Sequence, residues 1–120
     1  MTGVEARDFD SPDETRTPDK TNVQIVRMGS TSVSRMTLHP GWSWADCIKP
    51  IAGGESCQAH HVGLLQSGHM HVQHDDGSEE DITAGQPYVI EPGHHAWVVG
   101  DEPVVGYEFH TKTAEEYARG

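Results

Sequence analysis

Basic residues are what this chain lacks most: 8 Lys and Arg stand against 19 Asp and Glu, a formal charge of -11 over 120 residues. Nucleic acid and anionic bilayers are held through clustered cations, and no such cluster is present, so neither is expected as a partner. The acidic excess reads as a solubility device. Long apolar runs are missing too. No stretch is long enough to cross a bilayer, and Met1 to Lys20 has no apolar core of a secretory leader, so the expected location is the cytoplasm. Cysteine is scarce. Cys47 and Cys57 are the 2 in the chain, and in a reducing compartment they are read as thiols rather than as a bridge. There is no internal repeat, no glycine-rich phosphate loop and no low-complexity tract.

Helical periodicity is almost absent. Only Thr113 to Arg119 has it, with Thr113 as cap and Glu115 and Glu116 in the first turn. What the chain does have is short β-type runs between turn signals. Val23 to Val26, Val33 to Leu38, Val62 to Gln66, Met70 to His74, Pro87 to Ile90, Ala96 to Val99 and Val104 to Phe109 are separated by His39-Pro40-Gly41, Gly53-Gly54, Ser67-Gly68, Asp75-Asp76-Gly77, Ala84-Gly85, Pro92-Gly93 and Gly100-Asp101-Glu102-Pro103. Trp42 and Trp44 alternate with small or polar residues, the period of a half-buried strand. Seven to nine short strands with so little helix predict an all-β sandwich or small closed barrel. Residues 1–20 are polar, carry Pro12 and Pro18, and are expected to form an extended arm that is disordered or lies on the body or a partner. The expected division is therefore an arm at 1–20, a barrel at 21–112 and a helical tail at 113–120. About two thirds of the unfolded surface is buried in a single domain of this size, so the core is modest.

Two histidine doublets stand out, His60-His61 after Gly53-Gly54 and His94-His95 after Pro92-Gly93, on either side of the Asp75-Asp76-Gly77 turn. Imidazole is the commonest protein ligand for transition metals near neutral pH. Strands that fold back at the intervening turns would bring the doublets together. Neighbours on a strand face opposite ways, so one histidine of each pair faces inward at most.

These residues resemble the signatures of the cupin superfamily. That family has small jelly-roll barrels in which a glycine, His-any-His, a glutamate and a later glycine pair with a second signature, a Pro-any-Gly turn followed by histidine. Gly68 matches the hairpin glycine, and Gly85 with Tyr88-Val89-Ile90 leads into Pro92-Gly93 as the second signature would. Counting back from Gly68 places His61 at the glutamate position, Cys57 at the second histidine and Glu55 at the first. Counting forward from Gly54 instead places His60 on the first histidine and Val62 on the second, which cannot bind metal. In the second signature His94 or His95 must serve. Pro40-Gly41-Trp42-Ser43-Trp44 and Ala96-Trp97-Val98-Val99-Gly100-Asp101-Glu102-Pro103 are similar to small single-domain cupins mostly without assigned function, in which the histidine after Pro-Gly belongs to the signature.

The resemblance covers roughly Val33 to Phe109 and implies a cupin-type jelly-roll barrel holding one divalent transition metal: Zn, Fe, Mn or Ni. The ligands would be drawn from His61, His94, Cys57, Glu55, His95 and His60. Trp42, Trp44 and Trp97 would wall a pocket for a small organic ligand or substrate, with Gly63 leaving room for it. His39, Tyr88 and Tyr107 are candidate proton donors if they face the cavity. The activity would be that of a metal-dependent oxygenase, isomerase or lyase. The alternatives are a non-catalytic binding or sensor module in which the metal is optional, and a homodimer module in which the arm crosses to a partner chain.

Overall fold

The computed structural model describes residues 3–111, so the expected helix Thr113 to Arg119 lies outside the described residues. Nine strands are present among them: β1 (Glu14–Arg16), β2 (Thr21–Met28), β3 (Thr31–Leu38), β4 (His61–Ser67), β5 (His69–His74), β6 (Glu79–Thr83), β7 (Pro87–Ile90), β8 (His94–Val98) and β9 (Val104–Thr111). They form a six-stranded sheet in the order β1-β2-β3-β9-β4-β7 and a three-stranded sheet in the order β6-β5-β8. Every pairing is antiparallel. The architecture is a jelly-roll β-sandwich, as its alternation and turn residues predict.

Alternation assigns the faces. On β4, Gly63 and Leu65 point inward while Val62 and Leu64 point out; on β5, Met70 and Val72 are inward. Leu38, Leu65, Met70, Ile82, Val98 and Val104 meet between the sheets and form much of the core. The chain leaves one sheet for the other at Gly68, with φ of 88° and a Cβ position only 2.8 Å from the Val104 Cα, so a side chain there would strike β9.

One local feature departs from the sequence reading. Trp44 is not in a strand. Residues Trp44–Ile48 make a wide π-type turn that continues into one α-helical turn, α1 (Lys49–Ala52). The Ser43 hydroxyl accepts from the Asp46 N–H at 3.1 Å and caps this segment. Helical winding buries Trp44 and Cys47 together, where a strand would have placed alternate residues inward. β6 is an edge strand in which only Ile82 is buried.

The N-terminal segment lies on the body. β1 pairs with β2, and upstream of it the Phe9 ring sits 5.7 Å from Tyr107 with the Arg35 guanidinium over it at 5.0 Å. No helix among the described residues is long and apolar enough to cross a membrane.

Candidate metal centre

Cys57 sits in a loop, but its backbone is fixed to β8. Its N–H donates to the His94 carbonyl at 2.8 Å, and its own carbonyl accepts from the N–H groups of Gly93 at 2.7 Å and His94 at 3.2 Å. Gly93 takes φ of 97°, which lets the chain turn tightly into that bridge. Four residues after Cys57, β4 begins with His61 facing inward. The outcome is a cluster in which one ligand atom from each of Cys57, His61 and His94 lies within 4.8 Å of the others. The Cys57 Sγ is 3.9 Å from His61 Nε2, and the two imidazole rings meet edge-on at 5.1 Å.

The other ring nitrogens are occupied. His61 Nδ1 is 2.7 Å from Glu108 Oε1, and His94 Nδ1 is 2.8 Å from the Glu91 carbonyl oxygen. An acceptor behind each Nδ1 holds its proton there and turns Nε2 toward the centre of the cluster, the arrangement found behind metal-ligating histidines. Glu108 is only 7% exposed, and its second oxygen accepts from the Tyr88 hydroxyl at 2.7 Å.

The cluster is strongly coupled. Burial opposes charge on His61, but Cys57 on one side and Glu108 on the other outweigh it and raise the imidazole to about 10. Burial also pushes the Cys57 thiol up, yet hydrogen bonds from His61 and then His94 bring it down to about 6. Glu108 would be pushed up by burial, and His61 and Tyr88 hold it below the usual carboxylate range instead. Tyr88 is driven far above its ordinary value by burial and by the Glu108 charge. Near neutral pH these shifts favour a thiolate on Cys57, an imidazolium on His61 and a carboxylate on Glu108.

The remaining expected residues are placed as follows. Glu55 is exposed beyond the Gly53-Gly54 turn, where φ values of 75° and 88° swing the chain outward, and it takes no part in the cluster. His60 points to the opposite face from His61, 3.5 Å from Glu91. His95 points away from His94 and meets the Trp44 ring at 5.3 Å. Trp42 and Trp44 are buried and line the cavity; Trp42 Nε1 donates to Thr21 Oγ1 at 2.9 Å. Trp97 stands on the outer face of β8, 37% exposed and 4.8 Å from the His71 ring, because Ala96 and Val98 take the inward positions. Gly63 faces inward, but the room it leaves is filled: a Cβ there would lie 2.8 Å from the Tyr88 hydroxyl and would collide with the Tyr107 carbonyl. Its space goes to Tyr88, not to a ligand.

Glu108 was not anticipated. Its signal was present, since Val104, Gly106 and Glu108 share the inward parity of β9, and a carboxylate at a core position needs a partner.

The cavity beside the cluster has a volume of about 810 Å³, with Met36, Leu38, Trp42, Trp44 and Ile90 in its walls. It falls within the usual range for small-molecule sites. A second hollow, about 790 Å³, is rimmed by Glu79, Glu80, Asp81 and Glu91 and touches no member of the cluster.

Two antiparallel sheets with this order, enclosing an inward cluster at one end, define a small jelly-roll barrel of the cupin type. No family model matches the sequence, and no curated protein matches it. Solved structures do. A protein of unknown function from Rhizobium leguminosarum aligns at 13% identity and TM-score 0.62, over 92% of this chain and 100% of that one. A cupin-like protein from Thermotoga maritima aligns at 17% identity and TM-score 0.54, over 82% and 83%. AerE from Microcystis aeruginosa aligns at 15% identity and TM-score 0.57, over 83% of this chain but 48% of AerE, so this chain spans about half of that protein's length. At these identities the likeness is one of fold. The chain has the cupin fold.

Proposed function

We propose that this protein binds a divalent transition metal through Cys57 Sγ and the Nε2 atoms of His61 and His94, with a small organic molecule in the adjoining cavity. The observation that carries this reading is the paired engagement of both Nδ1 atoms, by Glu108 and by the Glu91 carbonyl, behind ligand atoms that lie within 4.8 Å of one another. One thiolate and two imidazoles suit Zn(II) or Fe(II) better than Mn(II). Three protein ligands leave a position for a ligand oxygen, and a metal so bound supplies a Lewis acid there.

The residues of the chain divide the work. Glu108 sets the His61 tautomer, and Tyr88 holds Glu108 in turn. Trp42, Trp44, Leu38 and Ile90 exclude water from the space next to the cluster.

Oxygenase, isomerase and lyase chemistry on a small molecule all fit such a centre. A binding or sensor role is favoured by a separate observation. His39 is exposed, Tyr107 lies on the outer face against Phe9, and the Tyr88 hydroxyl is committed to Glu108. None of the three is free to hand a proton to a bound molecule.

Elemental analysis of protein purified from medium containing Fe, Mn and Zn tests the reading. About one metal per chain is expected, falling to a trace in His61→Ala and Cys57→Ser. A wild-type protein that folds and takes up none, even on incubation with Zn(II), overturns it.

A further inference from the structure

In a chain with 8 Lys and Arg, 2 of them, Arg16 and Arg27, line the cavity at its end away from Cys57, His61 and His94. Strand pairing sets the separation. Arg27 pairs with Ser32, and Ser32 with His110 on β9; Glu108, two residues before His110, pairs with Gly63 on β4, two residues after His61. From β4 to β2 the sheet steps across three strand spacings, about 14 Å between backbones. Side chains at each end shorten the gap to what an organic chain of about eight to ten atoms fills. Between the ends the floor is mixed: Ile25 on β2 and Met36 on β3 are apolar, and beside them lie the Ser32 and Ser34 hydroxyls and, on β9, His110 and Glu108.

The two arginines are held in place. Glu14 on β1 accepts from Arg16 Nε with one oxygen and from Arg27 Nη2, at 2.6 Å, with the other. One carboxylate between two guanidinium groups leaves one positive charge, and it leaves the intact Nη1 and Nη2 edge of Arg16, with single N–H donors of Arg27 beside it, for another acceptor. Both side chains are more than half exposed, 60% and 52%, so a carboxylate arriving there displaces water rather than a buried partner. Guanidinium forks match carboxylate geometry in a way that an ammonium does not.

We propose that the barrel binds an amphipathic organic acid, with its carboxylate held by Arg16 and Arg27 at the open end and its apolar body running over Ile25 and Met36 toward Cys57, His61 and His94. The inner end of this reading rests on the metal centre proposed above; the outer end does not.

Octanoate and octanamide share the same carbon chain and differ at the head group, anionic in one and neutral in the other, and serve as probes. Their binding is read from Trp42 and Trp44 fluorescence in metal-free protein, beside a separate measurement of Zn(II) uptake. Metal-free wild type is expected to prefer octanoate about tenfold or more, a preference that weakens with added salt. The R16Q/R27Q variant is expected to lose the preference to within about twofold while taking up the same Zn(II) per chain. Equal binding of both probes by wild type overturns the proposal, and so does a preference that survives in R16Q/R27Q, which would place the carboxylate on the imidazoles. Octanoate preference in a wild type that takes up no Zn(II) sinks the metal centre and leaves the arginine site standing. Zn(II) uptake without the preference does the reverse.

Discussion

His61 Nδ1 lies 2.7 Å from Glu108 Oε1, joining the first residue of β4 to the inner face of β9 across 47 positions of sequence. Glu108 is buried and shared with Tyr88, so its loss leaves the His61 Nδ1–H and the Tyr88 hydroxyl without an acceptor. Such an orphaned pair costs about 1–3 kcal/mol of stability for each group left unsatisfied. Its larger effect is on His61, whose ring orientation and tautomer it sets. Glu108→Ala is expected to lower Zn(II) affinity by about 10- to 100-fold, and Glu108→Gln, which can still accept from Nδ1–H, by less. Competition against a chromophoric chelator measures both. Affinity unchanged in Glu108→Ala would mean that the carboxylate is structural only.

Gly63 makes the same network sterically possible. It pairs with Tyr88 across β4 and β7, and a Cβ would stand 2.8 Å from the Tyr88 hydroxyl and meet the Tyr107 carbonyl. The carbonyl belongs to the β9 backbone and cannot swing aside. Gly63→Ala is therefore expected to cost about 1–3 kcal/mol, seen as a lower thermal midpoint, although alanine is the better residue for chain entropy. A midpoint equal to or above that of wild type would show that β9 gives way more easily than its packing implies.

The pKa pattern makes a statement about proton release. In the metal-free protein His61 holds its proton up to about 10, while Cys57 has lost its own above about 6. A metal needs His61 Nε2 bare, so at pH 8 each metal bound displaces one proton from His61 and none from Cys57. Protons compete with the metal, so affinity falls as pH falls, by about tenfold per pH unit between roughly 10 and 6 on this account. Below about 6, Cys57 is protonated too and the dependence steepens. Calorimetric titration with Zn(II) at pH 8, in two buffers with different heats of ionisation, counts the proton directly. A count near zero would mean that His61 is already neutral, and the ion-pair description would fall.

The outline of this barrel is legible in the sequence because its turns are written in glycine. Gly68, Gly77, Gly85, Gly93 and Gly100 all take positive φ, and each falls at a break between strands that alternation also marks. The doublets His60-His61 and His94-His95 were likewise resolvable in principle, since parity with Gly63 and Leu65, and with Ala96 and Val98, selects His61 and His94. The same parity puts Trp97 outside, where its size suggests a pocket wall. What local pattern cannot supply is which strand lies beside which. Gly63 looks like space for a ligand until β7 is known to be its neighbour and Tyr88 its occupant. Glu108 is an isolated acid near the end of the chain until β9 is seen to lie between β3 and β4. The Trp42 and Trp44 alternation imitates a strand, and the competing signal, the Ser43 hydroxyl capping the Asp46 N–H, is one hydrogen bond among residues common in any loop.

Cys57 and Cys47 separate the active thiol from the packed one. Cys47 is 3% exposed in the core beside Trp44, whereas Cys57 is half-buried at the cluster, with its thiol at about 6. Alkylation requires thiolate and access, and at pH 7 Cys57 has both. Metal-free protein treated briefly with iodoacetamide is expected to gain one adduct, mapped by mass spectrometry to Cys57 and missing in Cys57→Ser. His61→Gln removes the donor that stabilises the thiolate and is expected to slow the reaction at pH 7. One equivalent of Zn(II), by occupying the same sulfur, is expected to suppress it about tenfold or more. Equal labelling of Cys47 would deny Cys57 its special environment. Labelling of Cys57 undiminished by Zn(II) would remove the sulfur from the metal's coordination and leave two imidazoles, too few to hold the ion as described.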